Sequence, residues 1–283
     1  MTRPRTGIVD TLIGFRGRRN VPLIAALREG EDDLHPHGYM FKAIPKELGD
    51  EDDPGVSIAE TLAKMDAHGV ERGMISLTDP LTPRALREHP GRFFASLAVD
   101  GNRGMDQVRE IVRAHEEYGI RAVTTFPSGV SPEIPINHRL WYPIYAKCVE
   151  LDLAVFVATG VPGPRLPMTP QYVGYLDEVC YHFPELKLVM RHGAEPWEAL
   201  AVKLMLKWPN LYYSTSGFAP KHYPRAIIDY ANTRGAEKIL YAGYFPYGLE
   251  LERIFAELEA VPFKEDVWPR FLSGNARRVL GLT

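Results

Sequence analysis

Three positions in this chain place a reactive side chain where it could be used. His192 follows the apolar run Lys187 to Arg191 and precedes Gly193, which sets it at the exit of a short strand. An imidazole there, titrating near neutrality, can take or give a proton, or serve as a hydrogen-bonded structural group. Its neighbour Arg191 carries a planar cation suited to a substrate carboxylate, or to a structural pair with a helix acid. Asp10 lies toward the end of the first apolar run, where a carboxylate can orient a histidine, take a proton, or cap the following turn.

Further polar groups cluster at similar places. Glu195, in the turn Glu195-Pro-Trp197, is near enough to the same strand exit to act as an acid or base, or to set charge at a helix N-terminus. Asp100, Asn102 and Thr125 end neighbouring runs and could offer polar substrate contacts. His35-Pro-His37 is the one His-x-His in the chain; it could supply two metal ligands, although its proline and charged surroundings favour a solvated turn. Close by, Tyr39, Phe41 and Lys42 could cover a site, the rings excluding water and the ammonium meeting an anionic substrate, or could pack as an ordinary loop.

Something must hold these groups together, and the pattern of runs says what. Eight short apolar segments recur: Gly7 to Ile13, Arg72 to Leu77, Phe93 to Val99, Ala122 to Phe126, Ala154 to Ala158, Lys187 to Arg191, Leu211 to Thr215 and Lys238 to Ala242. Continuous apolar runs read as parallel strands covered on both faces. Amphipathic stretches separate them: Ser57 to His68, Met105 to Tyr118, Leu140 to Glu150, Gln171 to His182, Trp197 to Lys207 and Tyr223 to Thr233. Ser57 with Glu60 forms a capping box. Strand–helix alternation with eight strands predicts one α/β domain over 1–283, a (β/α)8 TIM barrel. A long loop, 15–54, comes after the first strand and has the length of a functional lid.

Composition narrows the partners. The 283 residues are 45% hydrophobic and 24% charged, with a net charge of -3, and basic and acidic residues are interspersed. A folded chain without a basic stripe is expected, with neither nucleic acid nor membrane as partner. Two cysteines, Cys148 and Cys180, read as buried thiols. With no signal-peptide run they point to the cytoplasm. No Gly-x-Gly-x-x-Gly turn, phosphate loop or Gly-x-Ser-x-Gly elbow occurs.

Four segments, in order and spacing, resemble the amidohydrolase-related family, in its branch of aminocarboxymuconate-semialdehyde decarboxylase-like enzymes. They are Gly7-Ile-Val-Asp-Thr11, Pro184 to Gly193 with Pro196-Trp197, Ile239 to Pro246, and Ser273-Gly-Asn-Ala-Arg-Arg278. The resemblance implies the same barrel, with the active site at the C-terminal ends of the strands. It also implies a divalent metal held by a His-x-His pair after strand one, a His after each of strands five and six, and an Asp after strand eight. Here the pair positions hold Leu12 and Gly14, strand five gives Thr159 and strand eight gives Tyr244; only His192 matches. Leucine and glycine offer no lone pair, and neutral threonine and tyrosine are poor zinc ligands. The expectation is therefore no cofactor, with a divalent metal such as zinc as the alternative.

Resemblance and residues together point to a metal-independent decarboxylase, or related C–C lyase or hydrolase, acting on a small carboxylated molecule. In this reading His192 is the general acid/base, Asp10 assists, and the hydroxyls of Thr159 and Tyr244 donate hydrogen bonds; Arg191, Lys42, Tyr39, Glu195 and Thr125 contact the substrate. Two other readings stay open: a metal-dependent hydrolase with unusual ligands, and a barrel that binds a small molecule without turnover. A homodimer is expected from symmetry and from the family.

Overall fold

The computed structural model describes residues 6–15 and 58–283. Among them eight strands run parallel and pair in chain order: β1 (Ile8–Asp10), β2 (Val70–Ser76), β3 (Phe93–Ala98), β4 (Ala122–Thr125), β5 (Ala154–Ala158), β6 (Leu188–Arg191), β7 (Leu211–Ser214) and β8 (Ile239–Leu240). The sheet closes on itself. Thr11 N–H donates to Tyr241 O, Gly14 N–H donates to Phe245 O, and Ile13 bridges Phe245 in parallel. This is the (β/α)8 barrel that the alternation predicts.

Among the described residues each strand is followed by a helix that covers the sheet: α1 (Ile58–Ala67), α2 (Thr82–Glu88), α3 (Gly104–Tyr118), α4 (Tyr142–Glu150), α5 (Tyr175–His182), α6 (Glu198–Lys207), α7 (Arg225–Ala231) and α8 (Leu251–Leu258). Each presents an apolar stripe to the sheet. On α3 the stripe is Val108, Ile111 and Ala114, and Gly119 ends the helix in the left-handed region with its N–H on His115 O. Cys148 and Cys180 are buried, unpaired thiols on α4 and α5.

Two apolar layers result. One lies between helices and sheet; the other fills the barrel with Val9, Met74, Phe94, Ala122, Phe156, Val189, Tyr212 and Leu240. A π-helical stretch, Arg270–Gly274, leads into α9 (Asn275–Leu280), whose Ala276, Val279 and Leu280, with Leu282, join the barrel interior. Arg278 donates to the Tyr212 hydroxyl there. The end of the barrel where the strands begin is thus plugged, and the other end is left as the mouth.

The expected runs are longer than the strands that form. β1 stops at Asp10 because Leu12 N–H is taken by the Asp10 side chain, and β8 stops at Leu240 because Tyr241 N–H turns to Phe271 O. Helices α2 and α8 lie outside the amphipathic stretches picked out above; α2 starts on a proline in its first turn, and α8 buries Leu251, Ile254 and Leu258. Ser57 of the capping box, and the loop beyond Phe15, lie outside the described residues. Among the described residues no helix is long and apolar enough to cross a membrane.

Candidate active site

Alternation along each strand fixes which side chains reach the mouth. Counting from the interior residues, the last inward positions are Thr11, Ser76, Ala98, Thr124, Ala158, Arg191, Ser214 and Ala242. Seven of these eight are Thr, Ser or Ala; Arg191 alone is long and charged. Small neighbours leave the guanidinium room at the floor of the mouth. Among the described residues no carboxylate pairs with it: the ion pairs all lie elsewhere. Burial lowers its pKa, opposed by the phenols of Tyr244 and Tyr247, and a guanidinium keeps its charge throughout.

His192 follows Arg191 and feels its charge. Its backbone takes the left-handed conformation, φ 63°, and so does that of Tyr244, φ 65°. A non-glycine residue pays roughly 1–2 kcal/mol for this, and such residues gather at functional turns. The two rings meet edge to face at 5.4 Å, and Tyr247 packs on Tyr244 at 5.8 Å. The turn is held by His192 N–H donating to Ser216 Oγ at 3.0 Å. Gly217 (φ 86°) lies so close that a Cβ there would come within 3.2 Å of His192 Nδ1. That nitrogen is sealed from solvent and has no hydrogen-bond partner among the described residues. Burial, then the neighbouring Arg191 charge, holds the imidazole well below its usual pKa, so it is neutral near pH 7.

Asp10 is set apart from this group. It shares the outward parity of Ile8, and its Oδ1 accepts from Leu12 N–H and Gly243 N–H, both at 2.9 Å. The carboxylate is therefore a clasp across the β1–β8 seam. Burial raises its pKa to about 7, partly offset by those two N–H donors. A Cβ on Gly243 would stand 2.4 Å from Asp10 Oδ2 and 3.0 Å from the Tyr241 hydroxyl, so only glycine fits there.

The positions where the family keeps metal ligands are filled otherwise. Gly14 is pressed by Tyr247, whose hydroxyl would lie 2.3 Å from a Cβ at that position. The Thr159 hydroxyl donates to Gly193 O at 2.6 Å, which ties β5 to the turn of His192 and commits its proton away from the mouth. Leu12 brings no donor, and Tyr244 leans on His192. Among the described residues no group of three or more His, Cys, Asp or Glu is placed to hold a metal ion. The described residues do not fit the family's metal.

The remaining expected contacts sit farther from the guanidinium. Glu195 is exposed on the β6–α6 turn, its pKa raised by partial burial and by Glu198. Thr125 has the outward parity of Val123 and lies in the wall behind the mouth. Asp100 caps a short turn through Asn102 N–H, and the Asn102 amide donates to Pro132 O, so both brace loops. Tyr39, Phe41, Lys42, His35 and His37 lie outside the described residues. Tyr247 and Ser216 shape the site without standing out in the sequence; the spacing of Tyr247 three residues after Tyr244 is the available signal.

A model of the amidohydrolase family matches residues 30–282. The chain belongs to that family. It is accordingly an enzyme of the amidohydrolase-related group. No curated protein matches it. Among solved structures it is similar to an uncharacterized TIM-barrel protein from Bordetella bronchiseptica, at 24% identity and TM-score 0.70, covering 80% of this chain and 83% of that one. It is also similar to 5-carboxyvanillate decarboxylase from Sphingomonas paucimobilis (17%, TM-score 0.68, 98% and 99% covered). A third is 5-carboxyvanillate decarboxylase from Novosphingobium aromaticivorans, complexed with manganese and 4-hydroxy-3-methoxy-5-nitrobenzoic acid (16%, TM-score 0.71, 98% and 96%). At these identities the likeness carries the fold.

Proposed function

We propose that this enzyme is a decarboxylase, or related carbon–carbon lyase, for a small carboxylated aromatic molecule, and that it works without the family's metal. The observation that carries the reading is the composition of the mouth: a neutral His192 beside an Arg191 that no carboxylate among the described residues pairs, with the family's ligand positions filled by Leu12, the Gly14–Tyr247 contact, Thr159 and Tyr244. Relatives in fold that act on carboxylated aromatic rings support the substrate class.

A neutral imidazole begins as a proton acceptor. His192 takes a proton from a hydroxyl of the bound substrate and returns it to the ring carbon that carries the carboxylate. The carbon–carbon bond then breaks, its electron pair returns to the ring, and carbon dioxide leaves. Tyr244, edge-on to His192, fixes the imidazole plane. Arg191 meets the substrate anion; Lys42, Tyr39 and Glu195 remain candidates for its outer contacts. Thr159 and Asp10 serve by positioning, one through the turn of His192 and the other through the seam. The enzyme is further proposed to act as a homodimer in the cytoplasm.

The deciding experiment is metal analysis of protein purified without added metal, with carbon dioxide release from hydroxybenzoates assayed before and after chelation. Turnover that survives chelation, with substoichiometric metal, is expected. Stoichiometric manganese or zinc whose removal abolishes turnover would overturn the metal-independent reading.

A further inference from the structure

We propose that Arg191 is the anion receptor of this barrel, standing in as the fixed positive charge at the mouth where the family keeps a divalent ion. This deepens the preceding reading and rests on it for the location of the site. Arg191 ends β6 on the inward face, and Ala158 of β5 is its register partner. Every other last inward position is Thr, Ser or Ala, so no side chain of the floor competes for the guanidinium. The guanidinium is half-buried and no carboxylate among the described residues pairs with it, so a ligand can supply the counter-charge. Its planar fork suits a carboxylate bound through two parallel N–H donors. The mutually packed rings of His192, Tyr244 and Tyr247 lie within electrostatic reach of it, so the anion it takes is a carboxylate on a flat apolar body.

A fixed guanidinium differs from a metal in a way that can be measured. It accepts no ligand exchange and is indifferent to chelators, and it holds the anion by charge-assisted hydrogen bonds alone. The carboxylate thus stays outside any coordination sphere.

The test is calorimetric titration of the full chain, treated with chelator, with benzoate and 2-hydroxybenzoate, and with benzamide as the uncharged control. The carboxylates are expected to bind at millimolar concentration or tighter, and benzamide not to bind. Arg191→Met is expected to weaken carboxylate binding by about tenfold to a hundredfold, with Arg191→Lys in between. A second variant keeps the guanidinium: Ala158→Asp places a carboxylate on the neighbouring strand, beside Arg191 on the same face, and is expected to abolish benzoate binding while Ala158→Asn retains it. Thermal melts confirm that each variant is folded. Equal binding by wild type and Arg191→Met overturns the inference, as does wild-type binding that appears only when manganese is restored, or no carboxylate binding to the wild type at all. Carboxylate binding through Arg191 without turnover of any hydroxybenzoate would instead overturn the lyase reading and leave this one standing.

Discussion

His192 and Tyr244 hold left-handed backbone conformations that neither side chain favours, and their rings meet at 5.4 Å. Asparagine tolerates that backbone better than alanine does, so His192→Asn is the cleaner probe of the imidazole. It is expected to lower the rate of carbon dioxide release by about a hundred- to ten-thousand-fold with an unchanged thermal melt, the share usual for a proton-transfer group. An active His192→Asn would remove His192 from the chemistry. At this scale His192 is legible in the sequence because it closes an apolar run and matches a family ligand. Asp10 is misleading: its place near a strand end is shared by catalytic and turn-capping carboxylates, and only the N–H groups of Leu12 and Gly243 distinguish the two.

Elements carry the next set of consequences. Asp10 clasps β1 to β8 while buried, with its pKa raised to about 7 from a usual 3.8. A carboxyl whose folded pKa is raised binds its proton more tightly in the folded state. Its contribution is full below about pH 4 and is lost as the pH rises through about 7. The difference corresponds to about 4 kcal/mol. Urea unfolding between pH 4 and 8 is expected to show wild-type stability falling by that order relative to Asp10→Asn, whose amide does not titrate; parallel curves would refute the assignment. The same seam contains Gly14. Gly14→Ala is expected to destabilise by about 1–3 kcal/mol through crowding of Tyr247, with the penalty reduced in a Tyr247→Leu background. A double-mutant cycle measures that coupling. The strands are legible from continuous apolar runs, but their ends are not: β1 and β8 stop where side chains and the C-terminal segment take over ladder N–H groups, and those partners lie more than 200 residues apart in the case of Asp10 and Gly243.

Across the whole molecule the two ends of the barrel perform separate tasks. The floor where the strands begin is sealed by Ala276, Val279, Leu280 and Leu282 against Val9, Met74 and Leu240. Chemistry gathers at the opposite end, as in barrels generally. Leu280→Ala is expected to cost about 2–5 kcal/mol of stability while leaving kcat/KM at 25 °C unchanged; a kinetic loss equal in size to the stability loss would show the ends to be coupled. The architecture is readable from eight spaced runs, because alternating strand and helix leave few ways to cover a parallel sheet on both faces. The plug is not, since nothing in Asn275 to Leu282 distinguishes a helix beneath the barrel from one beside it.

The ring of Thr, Ser and Ala around Arg191 bears on how such a site changes over generations. Ala98 and Ala158 end strands that the rest of the barrel already holds in place, and Ala242 follows the end of β8 by two residues. Enlarging any one of them reshapes the space above the guanidinium from a different compass direction while the backbone stays put. A library confined to those three codons should therefore sort carboxylates by where their ring substituents lie, keeping the anion anchored as the invariant of the series.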